Sequence, residues 1–200
     1  MTEDPNKESG YIINQKTDEK EVDEHPFWEL LRFAILALLI VIPIRTFIAQ
    51  PFIVSGSSMF PTFQDGNYLI VDQLSYRFED PDRGDVIVFR YPKDTKKFFI
   101  KRIIGLPNET LEIKGSVINI KNNDRLDGFD LNEPYVKNLS YNNMSVTLGP
   151  NEYFMMGDNR SASSDSRSWG TVKRNLIIGK TLVRLLPISD LDLLPGKFEY

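Results

Sequence analysis

The sequence predicts a mainly β protein, an irregular sandwich or barrel, preceded by one membrane-spanning helix. The single long apolar run covers residues 33–44. From Pro51 onward the chain changes to short β-branched and aromatic segments separated by Gly, Pro and Asn. No repeat of about 20–50 residues occurs, and no helical pattern is evident outside the apolar run. These observations place one helix before a β-rich body.

Residues 1–26 are polar and charged and are predicted to form a disordered cytoplasmic tail. Before residue 33 the chain has four Lys or Arg against nine Asp or Glu, and from residue 33 onward it has 20 against 19. The net charge of −4 therefore belongs to the tail, and the body is nearly neutral. A neutral body lacks the basic face of a nucleic-acid-binding protein, so no nucleic-acid partner is predicted.

Residues 27–48 are predicted to form a transmembrane anchor. The uncharged run alone has twelve residues, but the full range supplies the roughly 20 that a span needs. Glu29 and Arg32 then lie at one interface and Arg45 at the other. A cleaved signal peptide is the competing interpretation; the leader is long and acidic, however, and no small-x-small site follows the run. A buried soluble helix is disfavoured because the run has no polar face.

The distribution of Lys and Arg gives the orientation of this anchor. Lys16, Lys20 and Arg32 precede the apolar run closely, whereas only Arg45 follows it for some thirty residues. Because positive charges favour the cytoplasmic side, we expect the N-terminus inside and the body outside.

The body is predicted to be β-rich over residues 49–112 and 151–200, with a small insertion or long loop over residues 113–150. Residues 121–150 are rich in Asn, Asp, Gly and Pro and contain few strong strand patterns. Gly179 lies inside the last predicted strand and indicates a bulge. The predicted strands cover residues 68–71, 85–91, 97–104, 110–113, 117–120, 152–156 and 176–186.

The composition limits the chemistry available to a serine nucleophile. The chain has no cysteine and a single histidine, His25, which precedes the apolar run, whereas the candidate serines, Ser55, Ser57 and Ser58, follow it. A Ser-His-Asp triad is thereby excluded, as are a cysteine nucleophile, a disulfide framework and a Cys/His zinc site. No metal or other cofactor is predicted. A lysine or a carboxylate remains as the base that could activate a serine.

Lys101 is the candidate base. Strand alternation places Phe99, Lys101 and Ile103 on one face of a predicted strand. Burial of an ammonium group on an apolar face lowers its pKa and leaves more free amine near neutral pH. A lysine in such a position is more often an ordinary edge-strand residue, and spacing alone does not join Lys101 to Ser58.

A polar loop at residues 156–170 is the other unusual stretch. It contains two Asp, two Arg and five Ser directly after a predicted strand. Arg–carboxylate pairs and bonds from side chains to the backbone can lock such a loop, although a solvated surface loop is the alternative. Trp169 and Gly170 favour a loop that packs against the body.

Together these stretches resemble the type I signal peptidases, bacterial serine-lysine endopeptidases anchored in the cytoplasmic membrane. The resemblance implies that family's irregular β-sandwich or barrel as the fold of the body. The matching motifs occur in the family's order over most of residues 45–180. They are Ser58-Met59-Phe60-Pro61-Thr62, Arg83-Gly84-Asp85 with its apolar strand, Lys101-Arg102-Ile103-Ile104-Gly105, and Gly157-Asp158-Asn159-Arg160 with Asp165-Ser166-Arg167.

The resemblance implies Ser58 as the nucleophile and Lys101 as the general base. It implies an oxyanion hole that includes the backbone amide of Ser58, and Gly56 occupies the position at which some relatives supply a serine donor. It implies that Ser163 orients the lysine amine. A supporting polar network is implied for Asp158, Arg160, Asp165 and Arg167.

The resemblance also implies a substrate bound as an extended strand between the segment before Ser58 and the strand that carries Lys101. The implied pockets admit only small side chains at the −1 and −3 positions of a signal peptide. The implied partners are signal peptides of exported preproteins, the lipid bilayer and the secretion translocon, and the implied location is the cytoplasmic membrane. The residues implied to line the pockets are Phe52, Val54, Met59, Phe99 and Ile100.

Two other functions are compatible with parts of the sequence. A soluble serine-lysine regulator that cleaves itself uses the same chemistry, but the anchor and the lack of a basic helix-turn-helix disfavour it. A catalytically inactive, membrane-tethered β module that binds peptides is disfavoured because both Ser58 and Lys101 are present.

Overall fold

The computed structural model describes residues 26–200, so the predicted tail lies outside the described residues except for Pro26. Helix α1, Pro26–Pro43, continues into a π-helical segment, Ile44–Ile48. None of the residues of α1 is buried, and within residues 26–200 it is the one helix long and apolar enough to cross a membrane. Its 18 residues span about 27 Å, close to the thickness of a bilayer's hydrocarbon core.

The remainder of the described chain is mainly β, as predicted. Its strands form two antiparallel sheets, joined by short helical turns and by the four-residue helix α2, Ser166–Trp169. The strands are β1 Ala49–Ile53, β2 Tyr68–Asp72, β3 Val86–Tyr91, β4 Asp94–Gly105, β5 Thr110–Gly115, β6 Val117–Lys121, β7 Phe129–Asp130, β8 Asn142–Thr147, β9 Glu152–Met156, β10 Val172–Lys173, β11 Ile177–Leu186 and β12 Asp192–Leu193.

The larger sheet has the order β1-β2-β11-β3-β4-β9-β10, with β12 paired to β11. Its centre is β3, where four consecutive apolar residues are buried, as expected for a strand covered on both faces. The pairing of β3 with β4 sets Ile87 opposite Lys101 and Val86 opposite Arg102. The register of β11 against β3 shifts between Ile177 and Gly179, which agrees with the predicted bulge.

The smaller sheet has the order β7-β6-β5-β8. Its central hairpin, β5 with β6, was predicted from the sequence. Strand β8 lies in the region predicted as an insertion or long loop, and it pairs with β5 along its whole length. Its sequence NNMSVT has only Met144 and Val146 as apolar residues, and both pack on the core beneath. A polar strand of this kind is ordered by its neighbour and gives a weak signal in the sequence.

A compact apolar cluster supports the segment that carries Ser58. It lies beneath the turn that follows β1, and Ile100 of β4 packs against it. Because these residues are almost fully buried, they hold the turn against the larger sheet. The cluster consists of Val54, Met59, Phe63, Leu69 and Val86.

Candidate active site

Ser58 lies on a turn whose ends are fixed by hydrogen bonds. On the side nearer β1, the amide of Val54 donates to Asn67 O at 2.9 Å, and Gly56 N donates to the Asp65 carboxylate at 2.7 Å. Gly56 has φ +91°, a conformation that side-chain-bearing residues rarely adopt, so glycine forms this turn without backbone strain. On the other side, Met59 is 1% exposed and anchors the chain directly after Ser58.

The side chain of Lys101 reaches Ser58 from β4. Lys101 Nζ lies 2.7 Å from Ser58 Oγ and 2.9 Å from Ile100 O. Strand alternation places Lys101 on the same face as Phe99, whose ring centroid is 5.4 Å from Nζ. At this distance a neutral amine can accept the serine proton directly.

The environment of Lys101 favours the neutral amine. The residue is 4% exposed, and this burial lowers the pKa of its amine to about 8. The carboxylates of Asp165 and Asp158 act in the opposite direction and limit the fall. A substantial fraction of the amine is therefore unprotonated slightly above neutral pH, as a general base requires.

The loop after β9 holds the Ser58 turn from the other side. Asn159 N donates to Ser58 O at 3.1 Å, and Asn159 Nδ2 donates to Ser57 O at 3.0 Å. A Cβ atom at Gly157 would collide with Ser58 O and with Ser163 Oγ. Only glycine therefore lets the loop approach the turn this closely.

Arg102 and Asp158 form a buried ion pair beside the serine and lysine. Their side chains are 1% and 0% exposed, and the guanidinium donates at 2.9 and 2.7 Å to the two carboxylate oxygens. The carboxylate also accepts from Thr62 Oγ1 at 2.5 Å, and the remaining Arg102 donor reaches Gly84 O and Gly196 O. Since every charged oxygen has a partner, the pair fixes the loop to β4 and to the Ser58 turn.

Arg160, Asp165 and Arg167 stabilise the same loop internally. Arg167 donates to both oxygens of Asp165, at 2.8 and 2.7 Å, and Asp165 also accepts from Gly157 N at 3.1 Å. Arg160 donates to Gly157 O at 3.0 Å and pairs with Glu133, which lies between β7 and β8. The predicted network residues thus lie in three Arg–carboxylate pairs, two of them within hydrogen-bond reach of Gly157.

Two of the implied site residues have surroundings that differ from the expectation. Ser163 Oγ is buried without a hydrogen-bond partner in the described part of the chain, so the Lys101 amine is held by Ser58 Oγ and Ile100 O instead. Gly56 allows the sharp turn before Ser58, but it has no side chain that could donate a hydrogen bond to an oxyanion. The amide of Ser58 donates to no acceptor within residues 26–200, which leaves it available to an oxyanion.

A groove of about 250 Å³ runs between the end of β1 and the middle of β4 and contains Ser58 and Lys101. Four of the five residues implied to line it do so. Met59 does not, because its side chain points into the core cluster beneath the turn. The lining residues are Phe52, Ile53, Val54, Ser55, Ser58, Leu69, Val88, Phe98, Phe99, Ile100, Lys101 and Ser164.

Several residues outside the predicted site also shape it. Thr62 and Asn159 lie inside the matching motifs, so the sequence does indicate that their polar side chains belong to the site. Glu133 and Tyr135 lie in the region predicted to be an insertion or long loop. Glu133 nevertheless pairs with Arg160, and the centroid of the Tyr135 ring lies 3.9 Å from the Arg102 guanidinium carbon. Contacts of this kind join distant parts of the chain and leave no local pattern.

Comparison with known proteins identifies the family of the chain. Residues 27–186 match the family model described as signal peptidase, peptidase S26. The chain belongs to the signal peptidase family. Members of this family are peptidases that remove signal peptides, and the chain is accordingly a hydrolase of that class.

Two relatives match most of the chain, and a solved structure matches about half of it. A probable signal peptidase I-2 from Synechocystis sp. is 36% identical over 94% of this chain and 87% of its own length. A signal peptidase I from Bacillus amyloliquefaciens is 34% identical over 88% of this chain and 94% of its own length. A crystal structure of a signal peptidase I from Enterococcus faecalis V583 is 32% identical, with a TM-score of 0.44, and it covers 51% of this chain and 97% of that one.

Proposed function

We propose that this chain is a membrane-anchored endopeptidase that uses Ser58 as its nucleophile and Lys101 as its general base to remove N-terminal signal peptides from exported preproteins. The observation that carries the proposal is the 2.7 Å separation of Lys101 Nζ and Ser58 Oγ inside a groove. The lowered pKa of the lysine supports the same assignment.

The neutral amine of Lys101 takes the Ser58 proton as Oγ attacks the carbonyl carbon of the scissile peptide bond. The unpaired backbone amide of Ser58 donates a hydrogen bond to the tetrahedral oxyanion. The C–N bond then breaks, and the Lys101 ammonium gives its proton to the leaving amine, which produces an acyl-enzyme. Lys101 next deprotonates a water molecule that hydrolyses the ester and restores the hydroxyl of Ser58.

The sheet edges on both sides of the groove support an extended substrate. Strand β1 is an edge strand of the larger sheet, and β4 pairs with β9 only from Arg102 onward. Each therefore offers free backbone groups to a peptide lying between them. The groove is small and is narrowed by Phe52, Phe98 and Phe99, which favours small side chains at the −1 and −3 positions.

Helix α1 supports the anchoring part of the proposal. It leads directly through the π-helical segment into β1, so the chain passes from the apolar helix to the groove without a linker. The Lys and Arg that precede the helix favour an N-terminus in the cytoplasm and a catalytic body outside it. The bilayer and the secretion translocon are the partners that this arrangement suits.

Cleavage of a purified preprotein by the full chain in detergent or vesicles tests the proposal. We expect Ser58→Ala and Lys101→Met to abolish cleavage while the proteins remain folded, and we expect Ser57→Ala, an exposed neighbour, to retain it. N-terminal sequencing of the product should place the cut after a small residue. Normal turnover by either of the first two variants would remove that residue from its role.

A further inference from the structure

A second groove lies elsewhere on the body and shares no lining residue with the groove at Ser58. Its volume is about 680 Å³, and we call it the cationic groove. It is formed by the turn after β2, the turn before β9, and the segment from β10 to the beginning of β11. The lining residues are Gln73, Tyr76, Arg77, Asn151, Lys173, Arg174, Asn175, Ile177 and Ile178.

The charges of the cationic groove favour an anionic ligand. Three lining residues, Arg77, Lys173 and Arg174, are cationic, and none is acidic. Arg174 is held in place because it donates to Tyr76 O at 2.5 Å; its partner at the rim, the exposed Asp80, is 3.6 Å away. Lys173 is exposed and forms no ion pair within the described part of the chain. A preformed arginine beside an exposed lysine is suited to phosphate.

The cationic groove is connected to the point at which the chain leaves α1 and its π-helical extension. Gln73 N donates to Ile48 O at 3.0 Å, and Ile48 is the last residue of that extension. Gln73 Nε2 also donates to Gln50 Oε1 at 2.9 Å in β1. One wall of the groove is therefore bonded to the backbone that emerges from the proposed membrane span.

An exposed aromatic residue next to the groove indicates a lipid surface as the source of the anion. Phe78 directly follows Arg77, and it is 81% exposed. Exposed apolar side chains beside cations are typical of segments that lie in the interface of a membrane. A site for free phosphate would gain nothing from such a side chain.

We propose that the cationic groove binds the phosphate groups of anionic phospholipids in the membrane that α1 enters. Lys173 and Arg77 would approach the headgroups, Arg174 would form the fixed base of the site, and Phe78 would enter the interface. The inference rests on the proposed anchoring of the chain. Its consequence is that anionic lipid fixes the orientation of the body relative to the bilayer.

A single fluorescent label can test this assignment because the chain has no cysteine. Asn151→Cys at the lip of the groove is labelled with bimane. The full chain is then reconstituted into phosphatidylcholine vesicles with or without added phosphatidylglycerol. A trace of lipid with a nitroxide on its headgroup reports proximity by quenching. Lys173→Glu is compared with Lys137→Glu, which makes the same charge change at an exposed lysine outside the groove.

We expect phosphatidylglycerol to increase the quenching. Lys173→Glu should reduce that increase by about five-fold or more, and Lys137→Glu should leave it unchanged. Equal quenching in the two kinds of vesicle, or an undiminished response in Lys173→Glu, would overturn the assignment. No response to phosphatidylglycerol, together with binding of inorganic phosphate that Lys173→Glu weakens, would assign the groove to free phosphate and overturn it as well.

This experiment is independent of the proposed catalysis. It can be carried out with Ser58→Ala as the background, because no cleavage is needed for quenching. If phosphatidylglycerol does not increase the quenching and the chain with Ser58 intact still cleaves a preprotein, only the assignment of the cationic groove is wrong. A protein that fails to remain with neutral vesicles would instead contradict the proposed anchor.

Discussion

The backbone amide of Asn159 donates a hydrogen bond to the carbonyl oxygen of Ser58 at 3.1 Å. A second bond, from the Asn159 side chain to Ser57 O, makes this contact a two-point clamp on the turn that carries the hydroxyl. The position of Ser58 relative to Lys101 therefore depends on a loop about a hundred residues further along the chain.

Asn159→Ala removes the side-chain half of this clamp and leaves the backbone half. We expect kcat for preprotein cleavage to fall about ten-fold or more with little change in KM, because small displacements of reacting atoms are costly in rate. Steady-state kinetics provide the measurement. Asn143→Ala, which loses a comparable side-chain bond to Gly115 N in the smaller sheet, is the control and should retain activity. Equal losses in both variants would show a general effect on stability.

The pH dependence of cleavage should follow the protonation of Lys101. Burial lowers the pKa of its amine to about 8. In the proposed mechanism the neutral amine is the form that accepts the serine proton. We expect kcat/KM to fall about ten-fold for each pH unit below that value and to level off above about pH 9. A profile that still rises towards pH 10 would indicate a lysine with an ordinary pKa and would contradict the assignment.

Replacement of Lys101 should stabilise the folded protein. The folded-state pKa lies about 2.5 below the value of 10.5 for a free lysine, so burial of the protonated amine lowers the free energy of unfolding by about 3 kcal/mol. Because the pKa is lowered, this loss of stability is complete below about pH 8, decreases as the pH rises towards 10.5, and is absent above that. We expect Lys101→Met to raise the thermal midpoint at pH 6 and to raise it less at pH 9.5. Lys114→Met, at an exposed lysine, should show no such gain.

The Arg102–Asp158 pair should be strongly coupled. Arg102→Met leaves a buried carboxylate without its charge partner, and Asp158→Asn leaves a buried guanidinium, so each should lower the free energy of unfolding by about 3–5 kcal/mol. The double variant should lose clearly less free energy of unfolding than the two single variants lose together, as measured by chemical denaturation. The exposed pair of Lys97 and Asp94 is the comparison, with an expected effect below about 1 kcal/mol. Additive losses for the buried pair would contradict direct coupling.

Much of the fold could be predicted because local patterns determine it. The apolar, β-branched run of β3 and the hairpin of β5 and β6 carry strong strand signals, and the structure has them at the predicted positions. The apolar run also forms a helix, which begins at Pro26 and ends at Pro43, with a π-helical continuation to Ile48; the predicted range was 27–48. Strand alternation makes Lys101 a candidate base because Phe99 and Ile103 share its face of β4, but the pattern alone does not distinguish it from an ordinary edge-strand lysine.

What could not be predicted depends on contacts between distant residues. Strand β8 has too few apolar residues to signal a strand, and its pairing with β5 orders it. Met59 stands beside the serine in sequence, but the turn directs its side chain into the core and away from the groove. No local pattern joins Glu133 to Arg160, because the pairing depends on how the two sheets pack.

Lys101 and Arg102 are adjacent on β4 and point to opposite faces, one towards the serine and the other towards a carboxylate. A slip of β4 by one residue against β3 would exchange the two faces. A guanidinium, which stays protonated, would then face the hydroxyl and could not act as a base. Such a misaligned chain could keep its strands and still be inert. Fidelity of strand alignment during folding is thus as much a condition for the proposed catalysis as the presence of either side chain.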